Sequence, residues 1–266
     1  MHAIWSGMIS FGLVNIPVKI YAAARDLDVS FNQMHKDDNG RVRYVKLCRV
    51  CGKELSKDDI VKGYEYEKDQ YVIVTDKELQ GINLKTAKSI SVTSFVNGDD
   101  IEPLEFEKAF YVAPDENGQK AYALLREALV QSKKIAIGKV SLHSREQLAV
   151  LRISGDAVIL ETMHFADEIV KPEGIGIPAA DFQVSDSELD LAKILIEHMS
   201  APFDYDAYHD EYEKALKELI NQKIAGEEVT AAAAPQPTDV IDIMAALKAS
   251  LESVDKKAPA EKEKSA

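Results

Sequence analysis

From Ala3 to His164 the chain is a series of short β-rich runs broken by brief turn signals, a pattern that few folds can accommodate. Ala3 to Phe11 and Leu13 to Ala23 flank Gly12. Val29 to His35, Val42 to Leu47, Tyr71 to Thr75, Ser89 to Val96 and Ala109 to Val112 follow. Ile135 to Leu142, Gln147 to Ser154 and Ala157 to His164 close the series, the last two meeting at Ser154-Gly155-Asp156, a hairpin signal. Pro17 has no amide donor, so its strand is expected to begin there or lie at an edge. Many strands with short turns expose edges that recruit other chains, and closing the sheet into an antiparallel barrel removes those edges. One helix interrupts the region, from Gln119 to about Lys133, after a turn at Asp115-Glu116-Asn117-Gly118. Its Ala121, Leu124, Leu125, Ala128 and Leu129 form an apolar stripe suited to packing on the barrel.

Past Pro178 the period changes from two to 3.6. Ser187 to Ser200 reads as an amphipathic helix carrying Leu189, Ala192, Leu195, Ile196 and Met199, ended by Ser200-Ala201-Pro202. A second helix, about Asp206 to Ile224, presents Tyr208, Tyr212, Leu216, Leu219 and Ile220 and stops at Gly226. Glu227 to Thr238, rich in Ala and Pro, reads as a tether. A short helix then places Val240, Ile243, Met244, Leu247 and Leu251 on one side, with Thr238 or Asp239 able to cap it. The expected division is a barrel core over 1–184, a helical arm over 185–226, a linker over 227–238, a short amphipathic helix over 239–253 and a disordered tail over 254–266.

Net charge is −13, which at first argues against a polyanionic partner. Its distribution reverses that argument. Met1 to His164 carries a balance of −1 and the remainder −12, so the strand-rich part is free to gather cations on one face. The longest apolar runs fall far short of the ~20 residues of a membrane span, and the opening residues lack a cationic leader with a cleavage site. Two cysteines three apart make no secreted disulfide framework, so a cytoplasmic protein is expected.

The usual catalytic constellations are absent: no phosphate-binding G-x-x-x-x-G-K-[ST], no G-x-S-x-G and no H-E-x-x-H. Gly174-Ile175-Gly176 runs into Ile177-Pro178, not into a third glycine and a helix. No enzyme is expected, an unrecognised site being the alternative. Cys48-x-x-Cys51-Gly52-Lys53 is the most specific local chemistry: two thiolates at this spacing form half of a tetrahedral zinc knuckle. His35 is the candidate third ligand. A metal-free turn is the competing reading, while a redox role lacks its βαβ context. No cofactor is required by either reading.

Two cationic concentrations stand out. Lys36, Arg41, Arg43, Lys46, Arg49 and Lys53 surround the cysteines, and Lys133, Lys134, Lys139, His143, Arg145 and Arg152 surround the end of the first helix and the strands after it. Alone, each reads as an ordinary solvated surface. Together, on a nearly neutral barrel, they point to phosphate binding.

The opening run Trp5-Ser6-Gly7-x-Ile9-Ser10-Phe11-Gly12-Leu13-Val14-x-Ile16-Pro17-Val18-Lys19 closely resembles that of the prokaryotic Ku family. So do Cys48-Arg49-Val50-Cys51-Gly52-Lys53-Glu54-Leu55 leading to Asp59-Ile60-Val61-Lys62-Gly63-Tyr64-Glu65, Tyr111-x-x-Pro114, and Ser144-Arg145-Glu146-Gln147-Leu148. Glu188-Leu189-x-Leu191-Ala192-Lys193, Phe203 and Asp242-Ile243-Met244-x-Ala246-Leu247 extend the likeness to roughly Met1 to Leu251. The resemblance implies a Ku-type β-barrel with an arch insertion, placed by chain order at about 30–66, and a helical carboxy-terminal arm. It implies a homodimer that encircles double-stranded DNA ends without reading sequence, near the nucleoid, in non-homologous end joining with a multifunctional ATP-dependent DNA ligase. Lys36, Arg41, Arg43 and Lys46 are then expected to line the ring on the arch side, and Lys133, Lys134, Lys139 and Arg145 on the barrel side. The helix bearing Val240 to Leu251 is expected to engage the ligase, with docking back on its own core as the competing role. Without the resemblance, a zinc-containing β-barrel for single-stranded DNA or RNA is the alternative.

Overall fold

The computed structural model describes residues 1–25, 27–82, 88–142, 145–179, 181–227 and 243–257. It divides into two compact units, Met1–Lys171 and Pro172–Ala266. The first contains β1 (Trp5–Phe11), β2 (Val14–Ala22), β3 (Lys62–Glu67), β4 (Gln70–Val74), α1 (Asp76–Gly81), β5 (Ser89–Asn97), β6 (Phe106–Pro114), α2 (Gln119–Ser132), β7 (Lys134–Leu142), β8 (Arg145–Ser154) and β9 (Ala157–Met163). The second contains α3 (Asp186–Met199), α4 (Glu211–Ala225) and α5 (Ile243–Lys257).

Seven strands close a barrel in the order β1-β2-β6-β9-β8-β7-β5. All neighbours are antiparallel except β1 and β5, whose parallel pairing of Met8–Ser10 with Ser89–Ser91 seals the seam. The expected mainly β barrel with helices is therefore the observed fold. Its interior follows the period-two alternation: Ile16, Val18 and Ile20 of β2 meet Ile9, Ile90, Val112, Val140, Leu151, Val158 and Leu160 in one cluster. Each such aliphatic side chain removed from water contributes about 1.5–3 kcal/mol. Trp5 packs against this core, and its indole lies across Gly7, where an added Cβ would stand 2.2 Å from the ring. The Trp-x-Gly spacing thus has a steric cause.

Pro17 does not begin its strand, which starts at Val14. It is tolerated because its carbonyl, and hence its donor-less nitrogen, faces the side where β6 has already ended. The β2–β6 ladder starts at Val18↔Pro114, and the Pro17 carbonyl accepts the Asp115 N–H at 2.9 Å. The strand is an edge at that one residue. Ser154-Gly155-Asp156-Ala157 makes the expected tight turn, with Gly155 at φ 57°.

Topology sorts the barrel into two unlike ends. Helix α2 follows β6 and plugs one end with Leu125 and Leu129. Its Tyr122 hydroxyl donates to the Val112 carbonyl at 2.7 Å and accepts the Val158 N–H at 3.2 Å, tying β6 to β9. The expected stripe is rotated: Tyr122 packs on the core, whereas Leu124 is 71% exposed. At the other end β2 stops at Ala22 and β5 starts at Ser89. Because β1 is antiparallel to β2 and parallel to β5, the intervening insertion leaves and returns at this same end.

The insertion holds less regular structure than its β-rich sequence suggests. Val29 to His35 and Val42 to Leu47 are not strands; the first run makes one isolated bridge, Met34↔Arg41, the second another, Leu47↔Glu54, and the two are linked by the Val42–Gln33 backbone hydrogen bond. Neither run has a buried sheet face to pack against, and β propensity without such a face is weak. Its sheet is the β3–β4 hairpin, of which β3 was not expected from the sequence. In the second unit, α4 starts later than expected. Asp204 caps a short 3-10 turn over Tyr205–Ala207, and Asp210 then accepts the Glu213 N–H at 2.9 Å to open the helix at Glu211. Gly226 ends it at φ 77°. Val240, the caps Thr238 and Asp239, and most of the expected tether and tail lie outside the described residues, but α5 continues through Lys257.

Candidate nucleic-acid interface

Two turns carry the cations of the insertion. In the first, the His35 N–H bonds the Gly40 carbonyl at 2.7 Å and the Val42 N–H bonds Gln33 at 3.0 Å, setting Arg41 at the turn exit. Arg41 lines a cleft of about 310 Å³ with Phe31, Asn32, Gln33, Val42 and Tyr44. In the second, the Gly52 N–H bonds the Cys48 carbonyl and the Cys48 N–H bonds Lys53, each at 2.8 Å. Lys36, Arg41, Arg43 and Lys46 are all exposed. Among the described residues Lys36, Arg41 and Lys46 make no ion pair, while Arg43 approaches Glu54 at 3.5 Å. Two solvated partners hold each other weakly, so Arg43 is available to a phosphate.

His35 does not join the cysteines. Its Nδ1 lies 2.9 Å from Asp38, with Asp37 at 3.7 Å from Nε2. The Gly40 N–H and then His35 hold the Asp38 carboxyl below its ordinary range. At Cys48 the N–H groups of Cys51 and Val50, and then the Cys51 thiol, point to the sulfur and depress its pKa. This is the knuckle turn that the sequence suggests. Two sulfurs are half of a tetrahedral zinc set, and among the described residues no group of three or more His, Cys, Asp or Glu gathers there. The described residues of one chain therefore do not complete a zinc centre.

The barrel-side cations fall into separate environments. Lys133 caps α2 in the left-handed region and is exposed; Lys134 donates to Asn97 at 2.7 Å. Both sit at the plugged end. Arg145 sits at the insertion end, bound to Glu168, about 26 Å from Lys134 at strand rise over β7. Between them Lys139 pairs with Glu146 at 2.9 Å and stands 5.9 Å from the Phe165 ring centre. Arg152 is committed to Glu161 through two 2.6 Å hydrogen bonds. The second cationic concentration is thus not one patch. Arg145 shares a barrel end with the insertion, whereas Lys133 and Lys134 do not. Strand direction decides this, and linear spacing does not display it.

The insertion's hairpin is aromatic, and only its second strand matches an expected run, Tyr71 to Thr75. Tyr64, Tyr66, Tyr71, Val72 and Ile73 of β3 and β4 are all at least half exposed. The alternation Tyr64-Glu65-Tyr66 was the available signal. A two-stranded hairpin with no covered face is marginal in water.

In the second unit α5 packs on α3. Met244, Ala246, Leu247 and Leu251 are half-buried, so the helix expected to meet a partner also contacts its own chain.

A family model described as the Ku70/Ku80 beta-barrel domain matches residues 10–191. The "Non-homologous end joining protein Ku" of Desulfitobacterium hafniense is 42% identical over 258 residues, spanning 97% of this chain and 90% of its own length. The protein of the same name from Bacillus subtilis is 41% identical over 256 residues, spanning 95% and 82%. That from Archaeoglobus fulgidus is 40% identical over 254 residues, spanning 96% and 100%.

Proposed function

Because this chain belongs to the Ku β-barrel family, we propose that it binds double-stranded DNA ends in non-homologous end joining. The observation that carries the reading is identity of 40–42% with proteins so named over nearly the whole chain. The insertion adds physical support: exposed Lys36, Arg41, Arg43 and Lys46 offer cations to phosphates, which lie at every step of a duplex whatever its bases. A protein of broken ends must accept any sequence, so backbone contacts suit it better than base-edge hydrogen bonds.

The finer reading is a homodimer whose two chains enclose the duplex. The bare hairpin of the insertion supports it, since Tyr64, Tyr66, Tyr71 and Ile73 need a covering surface and a second copy supplies one through a two-fold interface. The acidic carboxy-terminal third turns DNA away from other faces. The helix α5 recruits the ATP-dependent ligase of end joining by its apolar side, Met244, Leu247 and Leu251.

Enclosure has a topological test. Binding of a linear duplex is compared with binding of a covalently closed circle of the same sequence, with particle mass measured alongside. The expected result is tight binding of the linear form only, by a dimer. Equal binding of both forms removes enclosure.

A further inference from the structure

The recruiting helix α5 is not free in this structure. It packs on α3, and the half-buried positions of the two helices recur at helical spacing: Leu191, Ala192 and Leu195 on α3, and Met244, Leu247 and Leu251 on α5. These mark the faces in contact. They cover only part of the apolar arc of α3, because Leu189, Ile196 and Met199 remain 45%, 66% and 67% exposed. A solitary helix of 15 residues is marginal in water, so the helical state of α5 itself depends on a surface that takes its apolar side. In the free chain α3 is that surface.

We propose that α3 is the resting seat of α5, so that a partner reading Met244, Leu247 and Leu251 must first displace α3. The inference rests on the reading that α5 recruits the ligase. One apolar face cannot lie on α3 and in a partner's groove together, so seat and partner compete. If α5 is seated nine-tenths of the time, the partner binds about tenfold more weakly than it binds a freed helix. The ligase then gains affinity from whatever loosens the arm.

The test uses the full chain and two measurements. Hydrogen exchange of the α5 amides is followed in the wild type, in Leu191→Asp and in Ala192→Glu, with the β1 and β2 amides as the control for folding. Affinity for the ATP-dependent ligase of end joining is measured on the same proteins. The expected result is α5 protection in the wild type, lost by tenfold or more in both variants, together with about tenfold tighter ligase binding. Equal α5 exchange in all three proteins overturns the seat, and ligase affinity that fails to rise overturns the competition. Leu247→Asp separates the two ideas. If it binds ligase as the wild type does, the recruitment reading fails and the competition with it, whereas exchange alone decides whether α3 holds α5.

Discussion

At Lys133 the backbone adopts φ 55°, ψ 28°, where a Cβ crowds the following carbonyl at a cost of about 1–2 kcal/mol. Glycine removes that crowding and also removes one cation. Lys133→Gly is therefore expected to raise the melting temperature and, because Lys133 stands at the plugged end away from the insertion, to leave the salt slope of duplex binding unchanged; a slope lower by about 1 puts Lys133 in the interface. Arg41 and Arg43 present the reverse case, exposed and without structural duty beyond the loose Glu54 contact. Reversing both to Glu is expected to leave the unfolding free energy within about 0.5 kcal/mol of wild type. Binding to linear duplexes of any sequence should weaken alike, with a slope flatter by about 1 per lost contact. The same logic separates Arg152. Its partner Glu161 is only 12% exposed, so Arg152→Ala strands a carboxylate. These cations look alike in sequence because partner distance is not written there.

Among the elements, the strands and helices with a buried face are the ones that periodicity finds. The inward positions Ala149, Leu151 and Ile153 of β8 follow the alternation, and Leu151→Ala in this closed core is expected to cost about 2–5 kcal/mol by denaturant unfolding. The extended runs of the insertion lack a face to bury and are not strands, and β3, exposed along its whole length, has no apolar run to mark it beyond the alternation of Tyr64, Glu65 and Tyr66. The strap after β9 makes a pH prediction. Glu168 accepts the Phe165 N–H at 2.9 Å and lies beside Arg145 and His164, which together hold its carboxyl below the ordinary range. A carboxylate depressed in the folded state contributes stability above its unfolded pKa of about 4.3 and loses it as pH falls through the lower folded value. Melting temperature measured from pH 7 to 3 is expected to fall on the acid side, less steeply in Glu168→Gln.

For the whole molecule, the division after Lys171 separates a nearly neutral barrel with its insertion from a unit whose 9 Lys and Arg against 20 Asp and Glu carry most of the net negative charge. Removing everything after Gly226 leaves the barrel unit intact. Linear-duplex binding is expected to persist within about twofold while ligase stimulation is lost, since α5 goes with the deleted segment. Stimulation that survives the deletion assigns recruitment to the remaining surface. None of the described helices is long and apolar enough to cross a membrane.

Sequence alone determined the barrel, the α2 plug, the arm helices and the cysteine knuckle. Each is a local pattern: alternation, a 3.6 period, a turn residue or a fixed spacing of sulfurs. Only the tertiary structure decided that Lys134 and Arg145 stand at opposite ends of β7, that His35 turns to Asp38 instead of the cysteines, that Tyr122 replaces Leu124 over the core, and that α5 rests on α3. For Lys134 and Arg145, for Tyr122 and for α5 the deciding contacts join segments far apart in the chain, and neither segment alone names its partner. For His35 the partner is only three residues on, and it is the turn closed by the His35–Gly40 backbone hydrogen bond that brings Asp38 to it.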